Sequence, residues 1–200
     1  MKYCTGNTKN DQSYTIRDIN SSDVPNLLDY INTLSREQTF ILMQGEQKTL
    51  EDEQKYVNNL LKQMEANQTI ALVVECEGNI AGHATLSLKS RVESHVGSIA
   101  ISLAEKYRDQ GIGKIFLTKL IELAKEKLVG LKILELGVFG NNLRAIHLYE
   151  SLGFKQYGLL PGGIHHRGEY IDHILMYQNV KWYHDLNHDI TTIQLPWVNV

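Results

Sequence analysis

The sequence predicts a mixed α/β fold, and three observations carry that reading. The chain has 200 residues, against about 150 for a typical domain, so one domain with an extension is expected. Short β-rich runs alternate along it with segments whose apolar residues recur at helical spacing. Hydrophobic residues make up 42% and charged residues 22%, which suits a folded globular chain and neither a disordered nor a membrane-spanning one.

The elements follow in order. Met1 to Ser13 is polar, lacks the apolar stretch of a secretory signal and is read as a leader (1–13). Tyr14 to Ile19 alternates with period two and predicts a first strand. Asp23 with Pro25 marks a helix start, and Thr49-Leu-Glu-Asp52 resembles a capping box opening a second helix through Met64. Thr69 to Cys76 and Asn79 to Lys89 form a hairpin about Glu77-Gly78-Asn79, and Val96 to Leu103 is a fourth strand. Between Gly111 and Leu128, the residues Ile112, Ile115, Phe116, Leu120, Leu123 and Ala124 make one apolar helical face. Lys132 to Val138 is the fifth strand, Asn142 to Ser151 a helix stopped by Gly153, and Phe154 to Leu160 with Glu169 to Gln178 a closing antiparallel pair. The domain is thus bounded at 14–178, with a tail at 179–200.

Charge and cysteines narrow the function. A net charge of -3 lacks the basic footprint of generic nucleic-acid binding, so any anion site must be local. Cys4 and Cys76 supply neither a disulfide framework nor zinc-ligand spacing, which points to a reducing cytoplasm. No run of eighteen apolar residues occurs, so no membrane association is expected. His165-His166 with His173, or His184 and His188 beside Asp185 and Asp189, have ligand-type side chains, but no third sure ligand, and no metal is expected. Apolar Ile193, Leu195, Trp197 and Val198 beyond the last strand suggest a homodimer.

One segment carries chemistry. Arg108-Asp-Gln-Gly111-Ile-Gly113 falls between a strand and a helix, where backbone amides and the positive end of the helix dipole hold phosphate oxygens. Phe116 stands where a dinucleotide fingerprint needs a third glycine. A nucleotide P-loop would need glycine at Arg108 and Ser or Thr at Ile115. Alone, the two glycines do no more than shape a turn.

Together with Asn142-Leu-Arg-Ala145-Ile-His-Leu148-Tyr149-Glu-Ser-Leu-Gly153-Phe154, however, the turn resembles the GCN5-related N-acetyltransferase (GNAT) family, whose cofactor loop reads Gln or Arg, two residues, Gly, one residue, then Gly or Ala. The resemblance spans about Tyr14 to Gln178 and is sharp from Ile99 to Phe154. Asp109 departs from it, since glycine is common there.

The resemblance implies the acyl-CoA N-acyltransferase fold: a strongly twisted central sheet, helices on both faces, and cofactor entering where strands four and five splay. It further implies transfer of an acetyl group from acetyl-CoA to an amine of a small molecule or protein. Backbone amides of Gln110, Gly111, Ile112, Gly113 and Lys114 would take the pyrophosphate, with Arg108 and Asp109 in the same cofactor-binding loop, and backbone groups of Ile101 and Leu103 would take the pantetheine. Asn142 would bond the pantetheine arm, and Tyr149 would place its hydroxyl near sulfur. Asn142 is equally a good helix cap, and Tyr149 equally a packing residue. Glu135 is the chosen general base among Glu93, His95, Ser98, Glu135 and Asp172, although a strand carboxylate is often simply ion-paired. The same loop without turnover would make an acyl-CoA sensor or assembly module.

Overall fold

A computed structural model describes residues 1–180. Eight strands form one sheet in the order β1-β2-β3-β4-β5-β6-β8-β7. They are β1 (Lys2–Asn7), β2 (Ser13–Asp18), β3 (Thr69–Cys76), β4 (Asn79–Leu88), β5 (Val96–Leu103), β6 (Ile133–Phe139), β7 (Lys155–His166) and β8 (Glu169–Asn179). Four α-helices intervene: α1 (Val24–Arg36), α2 (Leu50–Glu65), α3 (Ile112–Lys127) and α4 (Leu143–Ser151). The expected fourth and fifth strands are therefore β5 and β6. The segment read as a leader supplies β1, an edge strand paired antiparallel with β2. Tyr14 explains why a polar stretch can dock there: Gly6 lies against its ring.

Strand β3 shows how the layers arise. Its sequence is apolar at both parities, and a strand covered on both faces requires this. Ile70, Leu72 and Val74 enter one core cluster with Phe116, Leu117 and Leu120 of α3. Ala71 and Val73 enter the other, with Leu27 and Leu34 of α1 and Val57 and Leu60 of α2. The sheet is thus sandwiched between α1–α2 and α3, as the pattern predicts. Arg17 of β2 pins the start of α1, meeting both carboxylate oxygens of the buried Asp23 at 2.7 and 2.8 Å. Asp23 makes no side-chain cap to α1; it closes a capping box with Asn20 over the preceding short turn.

Every strand pairing is antiparallel except that of β5 with β6. That parallel pair is joined through α3, and it is the one that opens. His184, Asp185, His188, Asp189 and the apolar residues 193–198, on which the second histidine set and the dimer expectation rested, lie outside the described residues.

Candidate active site

Parallel pairing of β5 with β6 covers only Val96↔Ile133, Gly97↔Leu134 and Ser98↔Glu135. Beyond that point the strands part, and Ile99 to Leu103 face Leu136 to Phe139 across a cleft of about 1380 Å³. The volume exceeds the ~300–1,000 Å³ of an ordinary small-molecule pocket, which leaves room for two substrates together.

Backbone geometry decides what β5 offers the cleft. The Ala104 amide donates to the Ala81 carbonyl of the β4 side at 2.9 Å. Because successive residues of a strand turn their polar groups to opposite sides, Leu103 and Ile101 aim theirs at the splay. The Leu103 carbonyl already accepts from Arg108 Nε at 2.9 Å, so at that residue the amide is what remains for a ligand.

At the mouth, a short turn leads into α3. Its cap residue Gly111 has φ +83°, and no side chain caps the helix. The first-turn amides and the positive end of the dipole are therefore available to an anion. No atom lies within 4 Å of a Cβ built on Gly111, so the backbone conformation, not crowding, selects glycine. A Cβ on Gly113 would meet Leu103 and Leu148 at 3.5 and 3.7 Å, ordinary contact.

Several expected residues have narrower roles. The side chains of Gln110 and Ile112 do not line the cleft: Ile112 is buried in the core, and both offer only backbone amides. Arg108 lines the cleft, but its guanidinium also ties the turn to Glu37, at 2.9 Å. Asp109 is held at φ 63° with its carboxylate 3.0 Å from Arg144. The charge that departs from the family pattern thus has a counterion. Lys114 lines the cleft mouth.

On the opposite wall, Asn142 Oδ1 accepts from the Ala145 amide at 3.2 Å and caps α4, while Asn142 also lines the cleft. The cap uses the side-chain oxygen and leaves the amide hydrogens without a partner in that bond. Tyr149 lines the same wall with its ring 6.0 Å from Phe154. Burial pushes its phenol up to about 12, which keeps it protonated at neutral pH.

The acids separate clearly. Glu135 lies at the apex, where β5 and β6 last pair, 2.6 Å from Lys89 Nζ. Lys89 is held above its usual range chiefly by that carboxylate, and it also meets Glu93 at 3.3 Å. Glu93 and His95 precede β5 rather than lying on it. Asp172 Oδ1 accepts from the Gly162 amide at 3.0 Å and lines a separate small pocket. Ser98 lines the main cleft.

Sequence reasoning missed part of the cleft lining, the segment after α1 (Thr39 to Met43), Tyr56, His83 and Tyr157, and weighed His173 only as a metal ligand. His83 sits on β4 opposite Ser102, with the Tyr56 ring at 6.0 Å and Nε2 buried without a hydrogen-bond partner. Burial pulls its pKa down to about 4, so the imidazole is neutral. A titratable residue inside the β-rich run Ile80 to Leu86 was the available signal. His173 reaches the wall because Gly137, beneath it on β6, leaves no Cβ in its place.

A family model described as the acetyltransferase (GNAT) family matches residues 30–154. The chain belongs to this family. Among curated proteins it is 28% identical over 102 residues to the L-amino acid N-acetyltransferase AaaT of Escherichia coli, which is 50% of this chain and 62% of that relative. The match therefore spans less than two thirds of AaaT. Among solved structures, a GNAT-family acetyltransferase from Streptococcus pneumoniae is 28% identical with a TM-score of 0.76, covering 84% of this chain and 99% of that one. A ribosomal-protein-alanine N-acetyltransferase from Brucella melitensis is 27% identical with a TM-score of 0.72, covering 82% and 99%. The acyl-CoA N-acyltransferase fold expected for a GNAT chain is the fold observed.

Among the described residues, no group of three His, Cys, Asp or Glu is placed to hold a metal. His166 is committed to the Gln38 carbonyl at 2.8 Å, and the His165 ring lies 5.2 Å from Tyr170. No helix among them is long and apolar enough to cross a membrane.

Proposed function

We propose that this chain transfers the acetyl group of acetyl-CoA to a primary amine, giving an amide and free coenzyme A. The observation that carries the proposal is the continuity of the β5–β6 splay with the uncapped N-terminus of α3. It offers strand-like hydrogen bonding to an extended pantetheine arm and an anion site at one end of it. The cofactor supplies a thioester, an acyl group activated toward nitrogen.

The residues divide the work. Amides from Gln110 to Lys114 bind the pyrophosphate, and Lys114 adds a cation at the mouth. The amides of Ile101 and Leu103 orient the arm and polarise the acyl carbonyl. Asn142 donates from its amide nitrogen to the pantetheine. Glu135 takes the proton that the ammonium must lose before nitrogen attacks the carbonyl carbon. As the carbon–sulfur bond breaks, the Tyr149 hydroxyl donates its proton to the departing thiolate, the nitrogen gives up its second proton to solvent to leave the neutral amide, and Tyr149 is reprotonated from solvent. Lys89 holds Glu135 in place. The two free cysteines, Cys4 and Cys76, support a reducing cytoplasmic setting.

Purified protein incubated with acetyl-CoA and a panel of amines should release free thiol in proportion to amine acetylated. Tight acetyl-CoA binding with no thiol release above the spontaneous rate would instead identify a sensor.

A further inference from the structure

We infer that the acceptor is a primary amine with an apolar flank and no free α-carboxylate: an arylalkyl or alkyl amine, or the amino end of a chain whose carboxylate is tied up as an amide. This rests on the acetyltransferase reading above and specifies its second substrate. The lining cations of the cleft among the described residues are Arg108, Lys114 and Arg144. They belong to the phosphate turn, α3 and the start of α4, and two are already paired, Arg108 with Glu37 just after α1 and Arg144 with Asp109.

The cleft also offers an acid and apolar surface. Glu135 lines it, and the cation beside Glu135, Lys89, is already shared between two carboxylates at 2.6 and 3.3 Å. Phe40, Ile41, Leu42, Ile164 and Leu175 line the same cleft, with the Phe40 ring 5.7 Å from Phe139 on β6. Leu42 is 91% exposed and Phe40 41% exposed, apolar surface that faces solvent. Tyr157 adds an aromatic ring at 54% exposure. His83 and His173 are the remaining titratable nitrogens there, and the first is held neutral by burial.

An ammonium brought to Glu135 gains attraction in a half-enclosed site. A carboxylate on the adjacent carbon would come within a few ångströms of the same acid, whose neighbouring cation, Lys89, is already shared between two carboxylates. Like charges at such separations are costly even at an intermediate effective dielectric. The apolar surface then rewards a hydrophobic flank.

The test is a set of matched acceptors assayed by thiol release with the full chain: leucine against leucinamide, phenylalanine against phenylalaninamide and phenethylamine, and a short peptide with an apolar first residue. The carboxylate-free members should exceed the free amino acids by roughly 10- to 100-fold in kcat/KM. Phenethylamine against peptide separates the two sources of this chemistry. Glu135→Gln should lower the rate for every acceptor and also shrink the leucinamide-to-leucine ratio toward one, whereas loss of a base alone would leave the ratio intact. Equal or better use of the free amino acids, or a ratio unmoved by Glu135→Gln, would overturn the inference while leaving the acetyltransferase reading in place. Absence of turnover with every amine would overturn both.

Discussion

Tyr149 and Gly111 test different parts of the proposed reaction. Removing only the hydroxyl with Tyr149→Phe keeps the ring beside Phe154, so stability and acetyl-CoA affinity should hold. The kcat should fall by roughly 10²–10⁴-fold, the usual contribution of a general acid, together with kcat/KM; steady-state kinetics on the folded variant decide it. A near-normal kcat would return Tyr149 to packing alone. At the mouth, Gly111→Val places a β-branched side chain at φ +83°, a conformation such residues avoid. Calorimetric titration should show weakened acetyl-CoA binding, whereas Gly113→Ala, whose Cβ has ordinary contacts, should bind almost normally. Equal losses at both positions would mean that crowding rather than backbone conformation governs the turn.

Individual elements owe their ends to local chemistry that the sequence displays. Thr49 Oγ1 accepts from the Asp52 amide at 3.2 Å, and Asp52 accepts from the Thr49 amide at 3.0 Å, the reciprocal arrangement that the spacing implies. Thr49→Ala should cost about 1 kcal/mol, seen as a melting temperature lower by roughly 2–4 °C for a chain of this size. Acetyl-CoA affinity should not change, because α2 does not touch the phosphate turn. The start of α1 is different. Asp23 is tied to Arg17 from a neighbouring strand, and breaking a buried pair by removing one partner costs about 3 kcal/mol or more. Asp23→Ala should therefore destabilise the protein well beyond Thr49→Ala in urea unfolding, although sequence inspection ranks both as helix-start residues.

For the molecule as a whole, the buried His83 makes stability depend on pH. Its pKa falls from 6.5 unfolded to about 4 folded, through burial. A depressed folded pKa contributes stability that is fully present above 6.5 and is lost as pH falls through 4. Urea unfolding at pH 7 and pH 4.5 should differ by up to roughly 2–3 kcal/mol from this group. His83→Gln should flatten the difference over that window, and an unchanged pH slope in the variant would show that other groups dominate.

The sequence by itself determined the element order from Tyr14 onward, because hydrophobic period, caps and turn residues act within a few positions of one another. Thr49-Asp52, the Glu77-Gly78 hairpin and the apolar face of α3 all report local physics. It also located the glycine turn before α3, since Gly111 is chosen by a backbone conformation that needs no distant partner. Tertiary structure decided the rest. Whether Met1 to Ser13 stayed a leader depended on the exposed edge of β2, and the partners of Arg108, Asp109 and Glu135 come from just past α1, from α4 and from just past β4. The cleft gathers residues from Phe40 to Leu175, which only the strand order β4-β5-β6-β8-β7 brings together. Charge complementarity and burial act through space, so no spacing along the chain records them.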